Sequence, residues 1–137
     1  MRRPIVLLCA PLLATGVTAC ASTVTTSSFK GEAHAVAQTV SNLQSHATGL
    51  EAKKICGEDL AAARVASLNR STGGCKQAIE GQLKQIDNFE ATVESVKISG
   101  GHATAQVKSI HSGKKAIQTL TLVKEDGGKW KISGIAG

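Results

Sequence analysis

The sequence predicts an α+β fold, with N-terminal helices packed on a four-stranded antiparallel meander sheet. Between residues 31 and 86 the apolar side chains recur at steps of three and four, which is the spacing of one helical face. From Glu90 onward the apolar period becomes two, with β-branched residues and glycine-rich connections, which is typical of strands and hairpins. Residues 30–137 are therefore predicted to form a single domain.

Three helices are predicted. The first covers residues 31–48, where Ala33, Val36, Val40, Leu43 and Ala47 share a face. The second covers residues 60–68 with Glu58 and Asp59 in its first turn, where acids suit the positive end of the helix dipole. The third covers residues 75–86, after the Gly73-Gly74 break.

Four strands are predicted over residues 91–99, 102–111, 115–124 and 129–135. Short glycine-containing connections separate them, and such connections favour hairpins. The third strand is apolar on both sides, because Ile117 and Val123 alternate with Leu120 and Leu122. A strand that is apolar on both faces is expected to be covered on both.

The first nineteen residues predict a bacterial lipoprotein signal peptide. Arg2 and Arg3 precede an apolar run shorter than the ~20 residues that span a bilayer. The run closes on Val17-Thr18-Ala19-Cys20, which resembles the lipobox of such signals. The mature chain would then begin at Cys20, whose diacylglycerol and palmitate anchor the protein to the cell membrane on its extracytoplasmic side. Residues 20–29 would form a flexible tether. An ordinary secretory signal cut after Ala19 is the alternative.

Cysteine usage fits the same location. Cys9 leaves with the signal and Cys20 carries the lipid, so Cys56 and Cys75 remain. Two thiols in an oxidising compartment predict one disulfide. A redox-active pair is the alternative, but the spacing is not Cys-x-x-Cys. No metal site is expected, since no histidine stands at ligand spacing from these cysteines.

Charge is concentrated in the second half of the chain. Residues 20–90 carry seven basic and seven acidic side chains, whereas residues 91–137 carry seven lysines against Glu94, Glu125 and Asp126. A basic half suits anionic headgroups, wall polymers or an acidic ligand; equally, lysines protect strand edges from pairing. Nucleic acid is not an expected partner, because few aromatic residues are available for stacking.

The end of the chain carries a family resemblance. Helices followed by a meander that ends in Asp126-Gly127-Gly128-Lys129-Trp130-Lys131-Ile132-Ser133-Gly134 resemble the nuclear-transport-factor-like, cystatin-like α+β cones. The placement of Cys56 ahead of the second helix and of Cys75 after Gly73-Gly74 is similar to that in small extracytoplasmic members of this superfamily from high-GC Gram-positive bacteria. In that superfamily the curved sheet and the helices enclose a pocket. Its members include isomerases, dehydratases and binding modules, so the resemblance implies the fold but no single function.

A pocket in this chain would be lined by the apolar residues of the third strand and the tryptophan of the fourth, with lysines as a basic rim. The candidate lining residues are Ile117, Leu120, Leu122, Val123 and Trp130, and the candidate rim residues are Lys97, Lys108, Lys129 and Lys131.

No catalytic constellation is expected. The isomerase members use a carboxylate base with a tyrosine or a protonated acid, and this chain has no tyrosine. His34 and His46 are interpreted as solvent-edge residues. His102 and His111 are nine apart and would point to opposite faces of a regular strand. We therefore expect a non-enzymatic binding or scaffolding module of the cell envelope, without cofactor or metal, whose partner is an envelope protein or a small ligand. A pocket enzyme of isomerase or dehydratase type and a surface-interaction protein without a pocket are the alternatives.

Overall fold

The computed structural model describes residues 26–86, 89–111 and 113–136. The predicted signal peptide and Cys20 lie outside these residues. The helices are α1 (Gly31–Thr48), α2 (Ala52–Lys54), α3 (Ala62–Asn69) and α4 (Gly74–Leu83), and a π-helical turn (Ile55–Asp59) directly follows α2. The strands are β1 (Phe89–Ser99), β2 (His102–His111), β3 (Lys114–Lys124) and β4 (Trp130–Ala136). The predicted α+β class and the four-stranded meander are confirmed.

The sheet has the order β1-β2-β3-β4, and every neighbouring pair is antiparallel. The β3–β4 turn uses Gly127 and Gly128, both in the left-handed region that favours glycine, with φ of 86° and 76°. The register shifts at Val93/Ser95 in β1 and at Thr121/Leu122 beside β4. Such bulges bend a strand and increase its twist, so they curve the sheet around what packs on it.

The main core lies between α1 and one face of the sheet, called here the inner face. The apolar spacing of α1 directs Val36, Ala37 and Val40 onto this face. The strands contribute side chains at alternate positions: Ala91, Val93, Ala103, Ala105, Val107, Leu120, Leu122, Trp130 and Ile132.

The N-terminal end of α1 is fixed to the β3–β4 hairpin by polar contacts. Trp130, only 4 % exposed, donates its indole N–H to Glu32 Oε2 at 2.6 Å. Lys124 Nζ lies 2.5 Å from Glu32 Oε1 and 5.8 Å from the centre of the indole ring. The hydrogen bond from Lys124, and to a lesser extent the one from Trp130, holds the pKa of Glu32 below its ordinary value.

A second cluster joins the end of α1 to the shorter helices. Ala47, Ala52, Ile55, Ile79 and Leu83 pack together around Cys75. Cys56 and Cys75 form the predicted disulfide, which links the π-helical turn to the start of α4. The bridge thus holds in place the helical segments that cover one end of the sheet.

The second predicted helix differs most from the structure. Glu58 and Asp59 lie in the π-helical turn, and Leu60 is extended and forms a parallel bridge with Ile132 of β4. Helix α3 therefore begins at Ala62, whose backbone N–H donates to Glu125 Oε1 at 2.6 Å. Local periodicity cannot show this pairing with a strand some seventy residues later in the chain.

Among the described residues, helices pack on the inner face of the sheet only, whereas β3 was expected to be covered on both faces. Ile117 points away from the helices and is 64 % exposed. At the other boundary, Thr26–Ser28 form a 3-10 turn and Phe29 packs against the main core. Phe29, the last residue of the predicted tether, is therefore in contact with the folded domain.

Candidate functional site

A cavity of about 690 Å³ lies between the inner face of the sheet and the helices. Each element that borders it contributes apolar side chains, because each turns its apolar face toward the others. The apolar lining residues are Val40, Leu43, Ala47, Ile55, Leu60, Leu68, Ile79, Leu83, Ile86, Phe89, Ala91, Val107, Leu120, Ile132 and Ile135. Volumes of about 300–1,000 Å³ with a mostly apolar lining are typical of small-molecule sites.

Solvent-exposed residues mark the mouth of the cavity. Arg64 on α3, Gln82 on α4, Gln118 on β3 and Ile135 on β4 line the cavity and are all exposed. Leu120, which follows Gln118 by two residues on the same face of β3, is buried. The mouth is therefore at the end of the sheet where β3 begins and β4 ends.

The hydroxyl groups of the residues that line the cavity have partners within the protein. Ser133 Oγ donates to Thr121 Oγ1 at 3.0 Å, next to the bulge that interrupts the pairing of β3 with β4. Ser109, which is buried, donates its hydroxyl to the carbonyl oxygen of Ala116 at 3.4 Å. The interior is thus dominated by apolar surface.

Arg64 is the one ionisable residue among the described residues that line the cavity. Within those parts of the chain its guanidinium has no ion pair or side-chain hydrogen bond. An unpaired guanidinium at an apolar mouth offers a planar set of donors to an anionic group.

An acid–base pair lies behind the cavity wall. His46 Nδ1 is 2.8 Å from Asp59 Oδ2, and its Nε2 is 3.9 Å from Glu58 Oε2. Asp59 is only 2 % exposed; burial raises the pKa of its carboxyl, and the hydrogen bond from His46 opposes that rise. Neither His46 nor Asp59 lines the cavity.

A second, polar cleft of about 530 Å³ lies on the opposite side of α1, between that helix, the π-helical turn and β4. Asp59 and Lys131 both line this cleft, and Lys131 Nζ donates a hydrogen bond to the carbonyl oxygen of Glu58. Most residues that line the cleft have amide, hydroxyl, imidazole or charged side chains, whereas most residues that line the cavity are apolar.

The predicted pocket residues are divided between different parts of the structure. Leu120 lines the cavity, while Leu122 is buried in the core beside it. Trp130 is buried against Glu32 and contributes to the wall of the polar cleft. Ile117 and Val123 belong to the outer face of the sheet, because they pair with Lys108 and His102 rather than with the inward alanines of β2.

The predicted basic rim does not surround the cavity. Lys129 and Lys131 line the polar cleft, Lys97 lies at a shallow depression on β1, and Lys108 lies on the outer face of β2. The cation at the mouth is Arg64 instead. Its signal was present in the sequence, because Arg64 falls midway between Leu60 and Leu68 on the apolar face of a predicted helix.

His46 was interpreted as a solvent-edge residue, and this was wrong. Its side chain is 15 % exposed, and its partner Asp59 lies thirteen residues away beyond a turn. A separation of this kind carries no periodic signal, so the pair becomes visible only in the folded chain.

In the described parts of the chain, no three His, Cys, Asp or Glu side chains are grouped so that they would hold a metal ion. No helix there has both the length and the apolar character required to cross a membrane.

Comparisons with known proteins give information on the fold. No protein-family model matches the sequence, and a search of curated proteins finds no match. An NTF2-like protein of unknown function from Shewanella baltica OS155 matches with a TM-score of 0.52 and 18 % identity, over 76 % of this chain and 90 % of that one. A variant of a protein designated Rd1NTF2_05 matches with a TM-score of 0.50 and 17 % identity, over 77 % of this chain and 97 % of that one. The helices, the four-stranded antiparallel sheet and these two similarities together show that the chain has the NTF2-like fold.

Proposed function

We propose that this protein is a lipid-anchored, non-enzymatic binding module of the cell envelope, and that its cavity holds a small, largely apolar molecule. The single observation that carries the binding role is the cavity of about 690 Å³, walled by apolar side chains from the sheet, from α1, α3 and α4, and from the π-helical turn. Sealing such a volume with side chains would be energetically favourable, so an open apolar cavity is consistent with selection for a ligand.

The location and the anchor are supported by the sequence pattern around Cys20 and by the disulfide. A bridge between Cys56 and Cys75 suits an oxidising compartment outside the cytoplasm. The lipobox-like Val17-Thr18-Ala19-Cys20 supplies the predicted attachment site.

The non-enzymatic role is supported by the chemistry of the cavity lining. Proton transfer requires an acid or base within hydrogen-bond reach of the substrate. The described lining residues include no carboxylate, imidazole or thiol, and the His46–Asp59 pair lies outside the cavity. We assign that pair to the structure: it fixes the π-helical turn against α1.

Uptake of a neutral apolar fluorophore, N-phenyl-1-naphthylamine, tests the binding role. Ala91 lines the cavity, so Ala91→Trp fills part of it, whereas Ala66→Trp adds the same side chain at an exposed position of α3. The parent protein and Ala66→Trp should bind the fluorophore saturably with one site, and Ala91→Trp should bind it much more weakly. Equal binding by both variants, or no saturable binding by the parent, would refute the proposal.

The anchor is tested separately. We expect Cys20→Ser to abolish incorporation of radiolabelled palmitate and to release the protein from the membrane fraction. Cys9→Ser is the matched control, because Cys9 is predicted to leave with the signal peptide. Unchanged palmitate incorporation in Cys20→Ser would exclude this anchor.

A further inference from the structure

We infer that the ligand is a single-chain amphiphile with an anionic head, whose hydrocarbon chain fills the cavity and whose head pairs with Arg64 at the mouth. This inference rests on the proposed binding function and specifies the chemical class of the ligand. The anionic head is a carboxylate or a phosphate, since a guanidinium recognises both in the same bidentate manner.

The charge of the mouth favours an anion. Arg64 is exposed and has no ion-pair partner among the described residues, and none of the described lining residues is acidic. Most surface arginines gain little from an isolated carboxylate, because water screens the pair. At a mouth with apolar walls, the hydrocarbon chain of the ligand already holds the anionic head beside Arg64. The ion pair therefore does not have to immobilise a free ion.

Two amides accompany the guanidinium. Gln82 on α4 and Gln118 on β3 are exposed at the mouth and, like Arg64, have no side-chain hydrogen bond within the described parts of the chain. Their N–H₂ groups are donors suited to the remaining oxygens of a carboxylate or phosphate head. The three side chains come from α3, α4 and β3, so they approach the mouth from different sides.

The interior favours a hydrocarbon chain over a ligand with buried polar groups. The hydroxyls of Thr121 and Ser133 bond to each other, and that of Ser109 bonds to the backbone of β3. A polar group placed in the interior would therefore have to displace an existing hydrogen bond or remain unsatisfied, which is costly. The polar atoms of the ligand are then expected at the mouth.

The shape of the interior also suits a chain. Along α1 the lining runs from Val40 to Ala47, which is about 10 Å at the rise of an α-helix. Across from α1 the wall is formed by Ile79 and Leu83 of α4 and by Val107 and Leu120 of the sheet. Each methylene that enters such a site should strengthen binding by about fourfold until the cavity is full.

The experiment uses the full chain carrying Cys20→Ser, so that no acyl group of its own competes for the cavity. Displacement of N-phenyl-1-naphthylamine is measured with dodecanoic acid, dodecyl phosphate, 1-dodecanol and dodecylammonium. At least one of the two anions should bind roughly three- to tenfold more tightly than the alcohol, and the cation should bind most weakly. The advantage of the anion should decrease as salt is added, while the affinity for the alcohol should not.

Arg64 variants identify the origin of the preference. Arg64→Gln should remove the advantage of the anion without weakening the alcohol, and Arg64→Lys should retain part of it. Arg70→Gln is the matched control, because Arg70 is exposed just beyond α3 and does not line the cavity. A series from octanoic to tetradecanoic acid should show the expected gain per methylene.

The outcomes separate the two proposals. If the alcohol binds but neither anion is preferred, or if Arg64→Gln weakens all four probes equally, the anionic amphiphile is refuted and the apolar binding function stands. If the fluorophore binds but none of the four probes displaces it, the anionic amphiphile is refuted and the apolar binding function stands. If the fluorophore itself does not bind, both proposals are refuted. An affinity that does not change with chain length would also contradict a chain-filled cavity.

Discussion

Removal of the disulfide tests how much of the stability depends on linking the π-helical turn to α4. The bridge joins Cys56 and Cys75 across a sequence separation of 19 residues. Closing a loop of that length restricts the unfolded chain by about 3 kcal/mol at 25 °C in the chain-entropy treatment. A small domain has a total free energy of unfolding of about 5–15 kcal/mol, so this is a large share of it.

The double variant Cys56→Ala/Cys75→Ala should therefore unfold in urea with a free energy about 3 kcal/mol lower than that of the parent. Its m-value should rise, because an uncrosslinked chain exposes more surface on unfolding. The parent treated with reductant is the matched control, since it keeps both sulfur atoms and loses only the bond. If the double variant and the reduced parent both lose less than about 1 kcal/mol, the constraint on the unfolded chain is not the main role of the bridge.

Three further predictions concern single side chains. Asp59→Ala should lower the free energy of unfolding by about 2–3 kcal/mol, because it leaves the ring N–H of His46 without an acceptor. Glu58→Ala is the control and should change it by less than about 0.5 kcal/mol. Equal effects of the two substitutions in urea unfolding would contradict the role given to the His46–Asp59 pair. Glu32→Gln should flatten the pH dependence of stability. The lowered pKa of Glu32 stabilises the folded protein at pH values above the ordinary pKa of a glutamate, and this stabilisation is lost as the pH falls through the lowered pKa. Parallel stability curves for parent and variant between about pH 7 and pH 3 would contradict this prediction. Leu122→Ala should lower the free energy of unfolding by about 2–5 kcal/mol and Ile117→Ala by less than about 1 kcal/mol, because Leu122 is buried and Ile117 is exposed on the outer face. Similar losses in thermal or urea unfolding would indicate that the outer face is covered.

Long periodic segments were the predictable part of the fold. Helix α1 was predicted over its observed range, and the four strands differ from their predicted ranges by two residues or fewer at each end. These elements have many apolar residues at one constant spacing and well-defined glycine boundaries. The disulfide was also predictable, because Cys56 and Cys75 are the cysteines that remain after the predicted signal and lipid site.

The π-helical turn and the true start of α3 depend on contacts between residues distant in sequence. Leu60 is extended because it pairs with Ile132, and Ala61 donates its N–H to the carbonyl oxygen of that residue at 2.8 Å. Nothing in the local sequence around Glu58 and Asp59 distinguishes this turn from the first turn of a helix. The burial of Asp59 follows from the same geometry, because the turn carries its carboxylate under α1 to His46.

The cavity was expected from the resemblance, but most of its lining was not. The third strand was assumed to supply the lining, since it is apolar on both sides. In the structure the helices supply about half of the apolar lining, including Leu68, Ile79 and Leu83. Which apolar residues close a core and which border a cavity depends on how far apart the helices and the sheet are held, and periodicity carries no information on that distance.

The most direct test of the binding site is a paramagnetic relaxation measurement with methyl NMR. A stearic acid that carries a nitroxide near its methyl end is added to the Cys20→Ser chain, with the reduced nitroxide as reference. The account predicts strong broadening of the methyl signals of Ile79, Leu83 and Leu120, which line the cavity, and clearly weaker broadening of Ile117 on the outer face. Broadening of Ile117 with unaffected cavity methyls would place the chain on the open face of the sheet and contradict the account.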